Sequence, residues 1–96
     1  MDRLKNSITT IHLRGLLQDL SNRRPPVGVR IRMLGEMWKP SFMQIVKITE
    51  RGAIFSDEST QEFVFIPDLD DVVQFEVDDR FQELQPHYHY EVNPQR

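Results

Sequence analysis

Between Val27 and Val77 the sequence offers five short apolar runs, VGVRIRML, SFMQIVKIT, AIFS, QEFVFIP and DDVVQFEV, each cut off by turn-forming residues. The separators are the GEMWKP segment, ERG, DEST and PDLDD. None has the dozen or more residues that a crossover between parallel strands requires. Five strands in so short a stretch must therefore run up and down as an antiparallel meander. In the first run Val27, Val29, Ile31 and Met33 alternate with Gly28, Arg30, Arg32 and Leu34, the pattern of a strand with one face buried and its arginines turned outward.

Before the meander the period changes. Leu13, Leu16, Leu17 and Leu20 recur at three- and four-residue spacing until SNRRPP interrupts them, which predicts a helix over about residues 12–21. The segment ahead of it supports two outcomes. SITTIHL is β-branched and suits a strand, whereas Leu4, Ile8 and Ile11 continue the helical spacing. The 96 residues are expected to form one domain: an N-terminal segment 1–11, a helix-plus-barrel body 12–78 and a C-terminal extension 79–96.

A compact meander rich in β-branched and aromatic residues is expected to close, because closure removes exposed strand edges. The expected fold is mainly β: an N-terminal helix, then a strongly bent five-stranded antiparallel sheet forming a small SH3-like or OB-like barrel capped by the helix. With no cysteine, the chain has neither disulfide nor thiolate chemistry. No apolar stretch approaches the roughly 20 residues of a membrane span, and MDRLKNSITTIHLRG lacks a continuous apolar core, so a cytoplasmic protein without membrane contact is expected.

The net charge of −3 conceals a division. Residues 1–51 hold ten Lys/Arg against four Asp/Glu, and residues 52–96 hold two against eleven. Opposite electrostatic faces, or complementary edges of neighbouring subunits, follow from such asymmetry.

Helix, proline-bearing link and five strands, over about residues 13–77, resemble the Sm-like fold, and specifically its bacterial Hfq branch, whose chain begins with a helix ending in an arginine-rich segment. LSNRRPPV is similar to the helix end and the entry to the first strand, MQIVKITERGAIFSD to the paired second and third strands, and FIPDLDDVV to the junction of strands four and five. The resemblance implies that Arg23 and Arg24 correspond to a basic rim that meets RNA. At the positions that form the family's uridine pocket this chain carries Thr49, Arg51, Ile66 and Pro67. Family members also pair the fourth strand of one subunit with the fifth of the next. That implies a cyclic homo-oligomer of about five to seven subunits, with Phe63, Phe65, Val72 and Phe75 at the interface.

Three groups of residues bear on chemistry. FVFIPDLDDVV delivers Asp68, Asp70 and Asp71 at the end of an apolar strand, which is similar to the D-x-D nucleophile of phosphatases. That mechanism needs a lysine and further carboxylates from later strands, and the remaining chain is too short to supply them. The spacing also lacks the glycine and terminal glutamate of a calcium loop, so a turn role is expected, where aspartate bonds its own backbone. In the tail QPHYHYEV, an extended chain puts His87 and His89 on one side and Tyr88 and Tyr90 on the other. Two imidazoles fall short of a metal site, and tyrosine packing by a terminal strand is the simpler role.

The third group is basic: Arg23, Arg24, Arg30, Arg32 and Arg51, with Trp38 and Lys39 in the GEMWKP loop. Arginines alternating on a strand and a loop tryptophan have the composition of single-stranded nucleic-acid surfaces. No catalytic residue, metal or cofactor is expected. The leading expectation is a ring-forming Sm-like protein that binds RNA through this surface; the alternative is a protein-interaction or assembly module on the same fold without nucleic-acid binding.

Overall fold

The computed structural model describes residues 4–38, 41–78 and 87–93. In chain order the elements are β1 (Leu4–Thr9), α1 (Thr10–Ser21), β2 (Gly28–Met33), β3 (Met43–Ile48), β4 (Ala53–Asp57), β5 (Phe63–Ile66), a 3-10 turn (Leu69–Asp71), β6 (Val72–Asp78) and β7 (His87–Asn93). All seven strands join one sheet in the order β1-β7-β6-β2-β3-β4-β5.

The five strands of the meander are present as β2 to β6, antiparallel wherever they pair. The expected closure is not. Closing this order would require β5 to pair with β6, but the second edge of β6 is occupied by β7, with Phe75 opposite Tyr90 and Val77 opposite Tyr88. Two strands beyond the expected five thus extend the sheet: β7 from the C-terminal segment and β1, which pairs parallel with β7 from Leu4↔Tyr88 to Thr9↔Asn93. The result is an open, mixed, seven-stranded sheet rather than a five-stranded antiparallel barrel.

The open choice at the N-terminus resolves as a strand followed at once by the helix. The switch occurs at Thr9, which keeps extended backbone while its hydroxyl accepts the His12 amide. The helix then buries Leu13, Leu17 and Leu20 and half-buries Leu16. These meet Val29 and Ile31 of β2, Met43 of β3, Ala53 and Phe55 of β4, Ile66 of β5 and Phe75 and Val77 of β6 in one core on the inner face of the sheet. Arg14 ties the helix to the β3–β4 turn by donating from Nη1 to the Thr49 carbonyl.

Two adjacent apolar residues in MQIVKI break strict alternation, and the register of β3 against β4 shifts between Ile45 and Lys47. The shift lets Ile45 and Ile48 both pack on the core while Val46 is turned out and half exposed. At the start of β4 the chain passes so close to β5 that any Cβ on Gly52 would collide with the Ile66 carbonyl oxygen and lie 2.7 Å from the Pro67 carbonyl carbon. Glycine is required there for close approach of two backbones.

Candidate interaction surface

The outer face of the sheet divides in two. Across β2, β6 and β7 it is a polar ladder, because alternation puts Arg30 and Arg32 outward on β2 and register sets them beside Glu76 and Gln74 on β6. The β6–β7 register then sets Glu76 beside His89 and Gln74 beside Glu91. Arg30 donates from Nε and Nη2 to Glu76 Oε1, at 3.0 and 2.5 Å. Arg32 donates from Nε to Gln74 Oε1 and from Nη1 to the Glu36 carbonyl at 3.2 Å. Gln74 passes the chain on by donating to Glu91 at 2.8 Å. His89 donates from Nε2 to the same Glu91 oxygen at 2.6 Å, and its Nδ1 lies 3.5 Å from Glu76 Oε2.

Aromatic rings roof this ladder. The Arg30 guanidinium lies over Trp38, 5.2 Å from the ring centroid, and over Phe42 at 5.0 Å. Trp38 also approaches the His89 ring at 6.1 Å between centroids. Glu76 is left only 1% exposed. A carboxylate so buried is stable only when paired and hydrogen-bonded, and Arg30 meets that need. Arg30, Arg32 and Trp38, expected together as nucleic-acid contacts, are together. Their donors and faces, however, already engage Glu76, Gln74, Glu36 and one another.

The other basic candidates lie elsewhere. Arg23 and Arg24 are exposed at the end of α1, where Arg24 donates to the Ser21 and Arg23 carbonyls at 3.1 and 2.8 Å. Arg51 sits on the β3–β4 turn and pairs with Asp68 at 3.1 Å. Lys39 lies outside the described residues.

The aspartates of PDLDD form a cap. Asp68 Oδ1 accepts the Asp70 amide at 2.9 Å and its Oδ2 accepts from Arg51, opening the 3-10 turn that leads into β6. The Asp70 amide first, and Arg51 with it, hold the Asp68 carboxyl below the ordinary aspartate range. Asp57 plays a similar part at the β4–β5 turn. It accepts from the Ser59 hydroxyl and amide, the Ser41 hydroxyl and the Thr60 amide, and the Ser59 hydroxyl contributes most to lowering its pKa. Among the described residues no three metal-ligating side chains converge on one point.

At the far end of the sheet the outer face turns apolar. Phe63 and Phe65 are 73% and 61% exposed on β5, the last strand of the sheet, whose outer edge has no partner strand among the described residues. Ile54 stands opposite Phe65 on β4. Around the end of the strand a groove of about 170 Å³ is lined by Met33, Val64, Phe65, Ile66 and Pro67, with one charged residue, Glu36, among them. Of the four expected interface residues, Phe63 and Phe65 lie on this surface. Val72 and Phe75 belong to the core instead, 2% and 0% exposed, with the Phe75 ring 5.6 Å from that of Tyr90.

The sequence reading missed Glu76 and Glu91. R-x-R in one strand and Q-x-E in another are complementary patterns, but only the register of β2 on β6 turns them into pairs. Among the described residues no helix is long and apolar enough to cross a membrane. Comparison with family models, with curated proteins and with solved structures finds no match to this chain.

Proposed function

We propose that this protein is an assembly module, which joins copies of itself through the edge of β5. The observation that carries this is the composition of that edge: FVFI holds no charge, no proline and no bulge, and two of its four side chains are aromatic rings in solvent. Edge strands of proteins that stay monomeric are guarded by such devices, because bare amides and carbonyls beside apolar side chains recruit another strand. The Sm-like resemblance adds that a helix followed by five antiparallel strands serves in that family as a ring subunit, although the family's pairing through the fifth strand is closed to this chain, whose β6 carries β7 on that edge. The interaction reading is preferred to the nucleic-acid one because Arg30 and Arg32, the arginines of the sheet face, are committed to partners within the chain.

Light scattering on the purified chain tests it. The wild type is expected at a multiple of its 11.4 kDa mass, and the Phe63→Lys/Phe65→Lys variant at the mass of one chain. A wild-type monomer at every concentration would discard the proposal.

Single-stranded RNA binding is retained as a second reading on one observation. Arg23 and Arg24 are exposed, and Arg24 borders a groove formed by Leu20, Pro26, Val27, Ile45 and Val46. Fluorescence anisotropy with short U-rich and A-rich RNAs decides it, since phosphate contacts weaken steeply as salt rises. Absence of binding at low salt, or binding indifferent to Arg23→Ala/Arg24→Ala, removes it.

A further inference from the structure

We infer that the strand received by β5 is β1 of a second copy, so that subunits join head to tail and each sheet continues into the next; this rests on the assembly reading above. The sheet has two ends, β5 and β1, and the second edge of β6 is covered by β7 of its own chain. A partner strand from another copy therefore meets the first at one of those two ends.

Charge selects between them. On one side β5 is preceded by Glu58 and the exposed Glu62, and on the other it is followed by the exposed Asp70 and Asp71, with Asp68 between them and the strand already paired to Arg51. No Lys or Arg lies between Arg51 and Arg80 in the sequence. Two β5 strands pairing with each other, in either direction, would set carboxylates against carboxylates at both ends, and like charges placed across a strand pair are destabilising. β1 comes from the basic half of the chain: Lys5 lies within it, and Asp2 and Arg3, which precede it in the sequence, offset one another. Its six residues are long enough to cover the four of β5. Pairing β5 with β1 thus satisfies the two edges that have no partner strand among the described residues, and sets the acidic surroundings of β5 against Lys5. Such a contact uses different patches on the two copies, so it closes as a ring when the rotation between subunits allows it.

The absence of cysteine makes the test direct, because every thiol is an introduced one. Ser7→Cys marks the exposed outer face of β1, and Phe63→Cys and Phe65→Cys, made singly, mark that of β5. The full-length single variants are oxidised mildly, alone and as mixtures of a β1 variant with a β5 variant. A disulfide-linked dimer is expected from a mixture and from neither component alone.

Linkage within a β5 variant alone would show β5 meeting β5, which overturns this inference and leaves assembly standing. A wild type that is oligomeric by light scattering but gives no linkage in any mixture overturns it likewise. A wild type that is monomeric removes both.

A charge exchange provides the check that does not depend on replacing phenylalanine. Glu62→Lys/Asp70→Lys is expected to weaken self-association about tenfold or more, and adding Lys5→Glu to restore most of it, a recovery of about 1.4 kcal/mol per factor of ten. Failure of Lys5→Glu to restore any association counts against β1 as the mate.

Discussion

Glu76 is the side chain whose setting most departs from its type. It stands on the polar face of β6, yet Arg30, Trp38 and β7 close over it, so its charge depends on Arg30 for compensation. Removing one partner of a buried pair leaves the other unpaired at low dielectric. Glu76→Ala is therefore expected to lower the unfolding free energy by about 3 kcal/mol. In a denaturation cycle with Arg30→Met, the double variant should be more stable than the sum of the single losses predicts. Asp57 and Asp68 act in the opposite register, as half-buried turn caps. Both have their pKa lowered in the folded chain, so each contributes stability that is present above the ordinary aspartate value of 3.8 and is lost as pH falls through the lower folded value. Urea midpoints measured on acidification below that value should fall less steeply for Asp57→Asn/Asp68→Asn than for the wild type. Equal slopes would show that the caps carry no linked proton.

The elements are held in place chiefly by their connections. Between β4 and β5 the chain turns with Gln61 at φ 62°, a left-handed backbone that costs a residue with a Cβ about 1 kcal/mol or more. Gln61→Gly is accordingly expected to raise stability by about 0.5–1 kcal/mol, read as a shift of the denaturant midpoint without a change of slope. Gly52, one connection earlier, has the reverse constraint. Its backbone φ is not left-handed, and what excludes a side chain is the Ile66–Pro67 backbone across the strand pair. Gly52→Ala must push β4 and β5 apart, and should cost about 2 kcal/mol or more, seen in the same measurement. Turn residues and the end of the helix were foreshadowed by local sequence: RRPP after the last leucine, and ERG and DEST between runs. The strand β1 was legible only as one of two outcomes, because SIT suits a strand while Leu4, Ile8 and Ile11 keep helical spacing, and what settles it is pairing with β7, whose residues lie far along the chain.

At the scale of the whole molecule, the core and the edge proposed for assembly lie in different parts of the sheet. The core runs from Leu13 and Leu17 through Phe55 to Phe75, on the inner face, and excludes Phe63 and Phe65. Replacing these two phenylalanines with lysine is expected to change the subunit number by light scattering while leaving the unfolding free energy of the dissociated chain within about 0.5 kcal/mol of a wild-type value extrapolated to the same state. A large loss of stability would place the rings in the fold itself. The open sheet is also what gives the molecule two different ends to offer, β1 and β5. A closed five-stranded barrel would have paired the edge of β5 with β6 and left β7 and β1 no place in the sheet.

By itself the sequence determined the meander, its turns, the amphipathic helix and the division of charge, because period, turn chemistry and capping are local properties of neighbouring residues. It also determined that the aspartates of FVFIPDLDDVV belong to a turn, since Asp68 bonds an amide only two residues away. Only the tertiary structure decided that the barrel stays open, that Arg30 and Arg32 are spent on Glu76 and Gln74, and that Val72 and Phe75 lie in the core while Phe63 and Phe65 face solvent. Each of these depends on which distant strand lies alongside which, and in what register: β7 on β6, β6 on β2. Strand pairing joins residues far apart in sequence through backbone hydrogen bonds that are the same for every side chain. Composition and periodicity therefore leave the choice of neighbour to the packing of the whole chain.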